Sequence, residues 1–154
     1  MKPPDDCLAC QARAGKIRLN PAPEIYSGEH WIVEHIEPTD ILGWVVLATR
    51  EHRHAMHDLV PAEWAEVTSV LPALCQAIRN VTGCEKEYLA QFAEQDGFNH
   101  VHIHVIPRMP TWPVEWRGFS VSSAIGKNAK QPISAERMSE FALRLKAELE
   151  RLLG

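Results

Sequence analysis

The run Asn99-His100-Val101-His102-Ile103-His104-Val105-Ile106-Pro107-Arg108 constrains this chain more than any other stretch. Successive side chains of a β-strand point to opposite faces, so His100, His102 and His104 share one face there. Val101, Ile103 and Val105 fill the other face, where branched side chains pack well into a core. A helix would scatter the three imidazoles and would crowd the β-branched residues. The pattern therefore predicts a strand over residues 100–106, closed by Pro107. One histidine on the wet face of a strand is ordinary. Three in register crowd one another when protonated, and each ring needs partners when buried. Two chemistries suit the row: a metal site, or nucleophilic catalysis in which neighbouring rings set tautomer and charge.

The remaining composition narrows the class. A length of 154 residues suits one domain with a full core. A net charge of −4 argues against electrostatic capture of a nucleic acid polymer. No apolar run approaches the roughly 18 residues of a membrane span. The opening Met1-Lys2-Pro3-Pro4-Asp5-Asp6 lacks the apolar centre of a signal peptide, so a cytoplasmic setting is expected. The four cysteines then read as thiols or metal ligands before disulfides. Cys7-Leu8-Ala9-Cys10 is a Cys-x-x-Cys knuckle whose thiolates can reach one zinc. A redox pair and two incidental cysteines are the competing readings. Zinc takes four ligands, so a metal reading needs two histidines from elsewhere. Cys75 falls in a helical pattern and Cys84 just past its end, and both fit that role poorly.

The pattern His-φ-His-φ-His-φ-φ over His100 to Ile106, followed by Pro107-Arg108, resembles the signature of the histidine-triad superfamily of nucleotide hydrolases and transferases. The likeness runs over roughly residues 7 to 108. It implies an α+β fold, a five-stranded antiparallel sheet with flanking helices, in a single domain spanning 1–154. It implies pairing into a two-fold homodimer through a helix and an edge strand. It places a structural zinc on Cys7, Cys10, His52 and His100, with His54 and His57 as rivals for the third place. It makes His102 the nucleophile toward the α-phosphate of a nucleotide such as diadenosine tetraphosphate. His104 then holds phosphate or assists the leaving group, and His100 anchors the strand. Phosphoramidate hydrolysis, nucleotidyl transfer, a nucleotide sensor with little turnover, and a catalytic zinc on the three histidines themselves are the alternatives. No redox cofactor is implied, and magnesium could arrive with a polyphosphate.

His30–Ile36 and Leu42–Ala48 read as strands, with Glu34 and His35 near the position that meets ribose in relatives. Pro61 opens a long helix that Gly83 stops, and Ser134 caps a final helix to about 153 with Phe141, Leu143, Leu145, Leu149 and Leu152 as apolar positions. Residues 87–94 read as a strand joined to the histidine strand by an Asp96-Gly97 hairpin turn. Asp96-Gly97-Phe98 stands where many relatives carry Gly-Gln-x-Val, so Asp96 is expected to face away from phosphate. Past Arg108, a proline- and tryptophan-rich loop offers Trp112 for a base and Arg117 for phosphate, or simple packing.

Overall fold

The computed structural model describes residues 4–154. Met1, Lys2 and Pro3, which open the stretch weighed for a targeting signal, lie outside the described residues. The elements run α1 (Leu8–Arg13), β1 (Tyr26–Ser27), β2 (Trp31–His35), β3 (Val45–Thr49), α2 (Pro61–Thr82), β4 (Lys86–Ala90), β5 (His102–Arg108) and α3 (Ala135–Leu153), with short 3₁₀ turns between 114 and 128. The strands form one antiparallel sheet in the order β1-β2-β3-β5-β4. This is the α+β architecture that the resemblance implied. Among the described residues no helix is long and apolar enough to cross a membrane.

Helices α2 and α3 cover one face of the sheet. In α2, Val67, Val70, Leu74, Ala77 and Ile78 are buried at three- and four-residue spacing, so one stripe meets the sheet. Pro61 starts that helix, and Gly83 ends it at φ 72°, a conformation glycine adopts without a Cβ penalty. Ser134 accepts from the Arg137 N–H at the start of α3. Met138, Phe141, Ala142, Leu145 and Leu149 of α3 are buried against Trp31, Val33, Val45, Leu47 and Val105. Leu143, expected in that stripe, is 58% exposed because it falls on the outer side of the helix.

The opposite face of the sheet is covered only in part. Ile41, Trp44, Ile106, Trp112 and Ala124 form a second, smaller core there under the 3₁₀ segment. The uncovered part of this face is where the histidines stand.

Three local expectations are corrected. Residues 11–24, with Gly15, Pro21 and Pro23, read as a turn-rich connection, yet residues 11–13 complete a helix, α1, that the Cys-x-x-Cys knuckle opens. Pro107 does not end the histidine strand. It pairs with Glu87 inside it, and Arg108 pairs with Lys86 beyond it. The Asp96-Gly97 turn does not make a tight hairpin. Strands β4 and β5 are joined by residues 91–101, and the Gly97 carbonyl accepts from the Leu8 N–H at 2.8 Å. That bond draws the loop onto α1 and away from the sheet. Gly97 sits at φ 79°, and a Cβ there would lie 2.9 Å from Leu8 Cδ1, so the close approach needs glycine.

Candidate active site and metal centre

His102 and His104 lie on β5, and His100 on the approach to it. All three line one pocket of about 320 Å³, within the range of small-molecule sites. Its floor includes Val46 and Ala48 of β3, paired in register with His104 and His102. Ile36, Pro38, Leu19, Phe98 and Ile125 supply apolar walls.

Each histidine has a distinct set of partners. His100 Nε2 lies 2.8 Å from the Thr49 carbonyl and 3.0 Å from its hydroxyl. A carbonyl only accepts, so Nε2 carries the proton and Nδ1 keeps its lone pair. His102 Nδ1 lies 2.7 Å from the His100 carbonyl. It donates there, which leaves Nε2 unprotonated. The His102 and His104 rings meet edge to face with centroids 4.9 Å apart. Burial disfavours the charged form, pushing His102 down and holding His104 near 4. Both rings are therefore neutral at pH 7.

The lone pair of His100 Nδ1 points into a second cluster. It lies 3.6 Å from Cys7 Sγ and 3.5 Å from Cys10 Sγ, and Cys10 Sγ lies 3.4 Å from His52 Nδ1. The donor atoms of Cys7, Cys10, His52 and His100 all lie within 4.8 Å of one another. Tetrahedral zinc with Zn–S near 2.3 Å and Zn–N near 2.05 Å would separate S from N by about 3.6 Å. The observed edges match that figure, so the donor set and its spacing fit the ion. Burial raises the Cys10 thiol to about 12, and its hydrogen bond with Cys7 adds to this. Without a cation the cluster is thus a poor home for thiolate. His54 and His57 are exposed, and His57 leans toward Asp58 instead.

Glu34 faces the pocket and is held by Arg13 of α1 at 3.0 Å. His35, one residue on, is turned the other way. Its Nδ1 donates to the Ile36 carbonyl, its Nε2 accepts from the Gly43 N–H, and its ring packs on Phe141. The expectation that His35 meets ribose is corrected, since strand alternation sends it to the helix side and both nitrogens are engaged. Arg108, Trp112 and Arg117 are corrected likewise. Arg108 pairs with Glu85 at the far end of β5, about 20 Å from His102 at strand rise. Trp112 is buried in the second core against Tyr88 and Trp116, and Arg117 donates to the Trp112 carbonyl. None of the three lines the pocket.

Sequence reasoning missed several residues that do. Arg13, Asn20 and Gln95 line the pocket, and the Arg13 Nε and Asn20 Oδ1 atoms are buried without a partner among the described residues. No motif marked them, since they come from segments read as connections. Asp96 is exposed and does not line the pocket, while its neighbours Gln95 and Phe98 do.

The sheet and its flanking helices are the fold of solved histidine-triad proteins. No family model matches the chain, and no curated protein matches it in sequence. Solved structures match over nearly its whole length. A hypothetical histidine triad nucleotide-binding protein of Sulfolobus tokodaii is 18% identical at TM-score 0.71, covering 95% of this chain and 93% of that one. A zinc-bound histidine triad family protein of Mycobacterium smegmatis is 20% identical at TM-score 0.64, covering 95% and 94%. The diadenosine triphosphate hydrolase of Plasmodium falciparum, solved with cyclomarin A, is 19% identical at TM-score 0.61, covering 85% and 78%. At these identities the likeness is one of fold.

Proposed function

We propose that this chain is a nucleotide hydrolase that acts at the α-phosphate through a covalent nucleotidyl-His102 intermediate. The observation that carries the reading is the His102 Nδ1–His100 carbonyl hydrogen bond, which aims an unprotonated Nε2 into the pocket. Nε2 attacks phosphorus, a P–N bond forms, and the P–O bond to the leaving group breaks with its electron pair on oxygen. The His100 carbonyl holds the Nδ1 proton and steadies the positive charge that develops on the ring. Water then attacks phosphorus, the P–N bond breaks, and His102 returns to its starting state. Glu34, paired with Arg13, lines the pocket and would meet ribose hydroxyls, and the apolar walls suit a base.

The same geometry suits more than one substrate class. With a dinucleoside polyphosphate, the class that the name of the Plasmodium neighbour suggests, the leaving group is a nucleoside polyphosphate anion. A nucleoside phosphoramidate or transfer to another acceptor uses the same first bond. Cys7, Cys10, His52 and His100 would hold a structural zinc, which supplies a rigid cross-link between α1, the loop after β3 and the start of β5.

The test is intact-protein mass spectrometry after mixing with diadenosine polyphosphates or adenosine phosphoramidate, with product release followed in parallel. An adenylyl adduct should map to His102. His102→Asn should lose turnover on the order of 10⁴-fold or more, as removal of a nucleophile does. Binding without turnover of any compound would overturn the hydrolase reading in favour of a sensor.

A further inference from the structure

Trp44 enters β3 beneath the histidine row and is 3% exposed. It packs with Ile41, Ile106 and Trp112 in the second core, so its indole has little freedom to turn. Its Nε1 lies 3.0 Å from His104 Nδ1, and the two rings meet nearly at right angles with centroids 5.8 Å apart. Indole nitrogen is a donor with no lone pair to offer. The atom facing it must accept, so Nδ1 of His104 carries the lone pair. In a neutral imidazole the proton then sits on Nε2.

We propose that Trp44 is a positioning residue that fixes His104 in the Nε2–H tautomer, making it a hydrogen-bond donor toward the substrate phosphate. The proposal rests on the reading of His102 as the nucleophile. The two rings are set in opposite senses by two donor-or-acceptor-only partners. A backbone carbonyl leaves His102 with a free lone pair, and an indole leaves His104 with a free N–H. Adjacent on one strand face, they present a nucleophile and an oxygen-binding group to the same phosphorus. An indole N–H does not ionise near neutral pH, so Trp44 does not act as a proton donor to His104. His104 therefore holds a phosphate oxygen by its N–H bond and keeps its proton, and the leaving phosphate departs as an anion. Donors fixed before substrate arrives need no reorganisation in the transition state.

The test is ¹⁵N NMR of the histidine rings in the zinc-loaded full chain near pH 7.5, without substrate. His104 should show an unprotonated Nδ1 coupled to the Trp44 indole N–H and a protonated Nε2. Trp44 is then replaced by 3-benzothienylalanine, which keeps the bicyclic shape and lacks the N–H, with Trp44→Phe in parallel. His104 should become a mixture of tautomers. On diadenosine tetraphosphate, kcat should fall about tenfold with KM nearly unchanged, the worth of one hydrogen bond. A proton on Nδ1 in the wild-type ring would overturn the proposal, even where a variant fails to fold. So would a pure Nε2–H tautomer persisting without the indole N–H. The ring spectrum is read without substrate. Inactivity toward every nucleotide would therefore sink the nucleophile reading and leave the tautomer assignment intact.

Discussion

His35 illustrates how one imidazole in this chain differs from the next. Burial drives its pKa from 6.5 down to about 4, while the Ile36 carbonyl pulls weakly the other way. Between about pH 4 and 6.5 the unfolded chain therefore holds a proton on this ring that the folded chain refuses. Stability rises with pH across that window, is complete above 6.5, and is lost as pH falls toward 4. A shift of this size is worth about 3 kcal/mol at 1.36 kcal/mol per unit. His35→Gln should be less stable than wild type at pH 7, because the Gly43 N–H loses its ring acceptor. Its stability should also depend less steeply on pH, by up to about 1.4 kcal/mol per unit for one proton. Urea denaturation at pH 4.5, 5.5 and 7 measures both effects, and parallel slopes for the two proteins would exclude His35 as the source. The same residue shows a limit of sequence reading. Glu34 and His35 are neighbours with equally polar side chains, and alternation alone does not say which faces the pocket. The deciding contact is Phe141, more than a hundred residues away.

Among the elements, α1 links the cluster of Cys7, Cys10, His52 and His100 to the pocket. Its first turn carries Cys7 and Cys10, its backbone holds Gly97 through Leu8, and its last turn sends Arg13 to Glu34. Six residues are too few for a stable isolated helix. Bonds from Cys7 and Cys10 to a zinc ion would supply what the helix lacks. Removal of zinc by a chelator should thus free α1 and the loop of residues 91–101 together. Amide exchange of Leu8 should rise sharply, while exchange in the centre of α2 should change little. Cys10→Ser should reproduce the effect and lower the bound zinc from one per chain toward zero. Unchanged protection at Leu8 in metal-free protein would show that the helix stands without the ion. The Cys-x-x-Cys pair and the alternating histidines were legible as local patterns, and only the family resemblance joined them with His52 into one candidate ligand set. The choice of His52 over His54 and His57 became firm only with burial, since all three lie in one polar loop. The helix itself was hidden, because nothing in a six-residue run rises above its flanking turns.

At the scale of the whole molecule, the sheet ends on a strand with no neighbour. β4 pairs with β5 on one side only, and Leu89 and Phe92 near this edge are 52% and 62% exposed. Open edges invite pairing unless charge or a bulge blocks them. The long helix α2, the paired strands and the histidine row were readable because each repeats one period over many residues. The edge was not, because strand order depends on which partners meet in space. β5 lies between β3 and β4, and that crossover places β4 outermost. We expect two chains to meet across β4 about a two-fold axis, so that residue contacts are reciprocal. Light scattering at micromolar concentration should give twice the chain mass. Leu89→Lys should shift the protein toward monomer with little loss of folding stability, because the side chain already stands half in solvent. Charge placed opposite its own symmetry copy repels across the axis, whereas the same substitution at Phe119, 92% exposed and far along the chain in the 3₁₀ segment, should leave the mass unchanged. A wild-type mass of one chain would show that the edge stays open in solution.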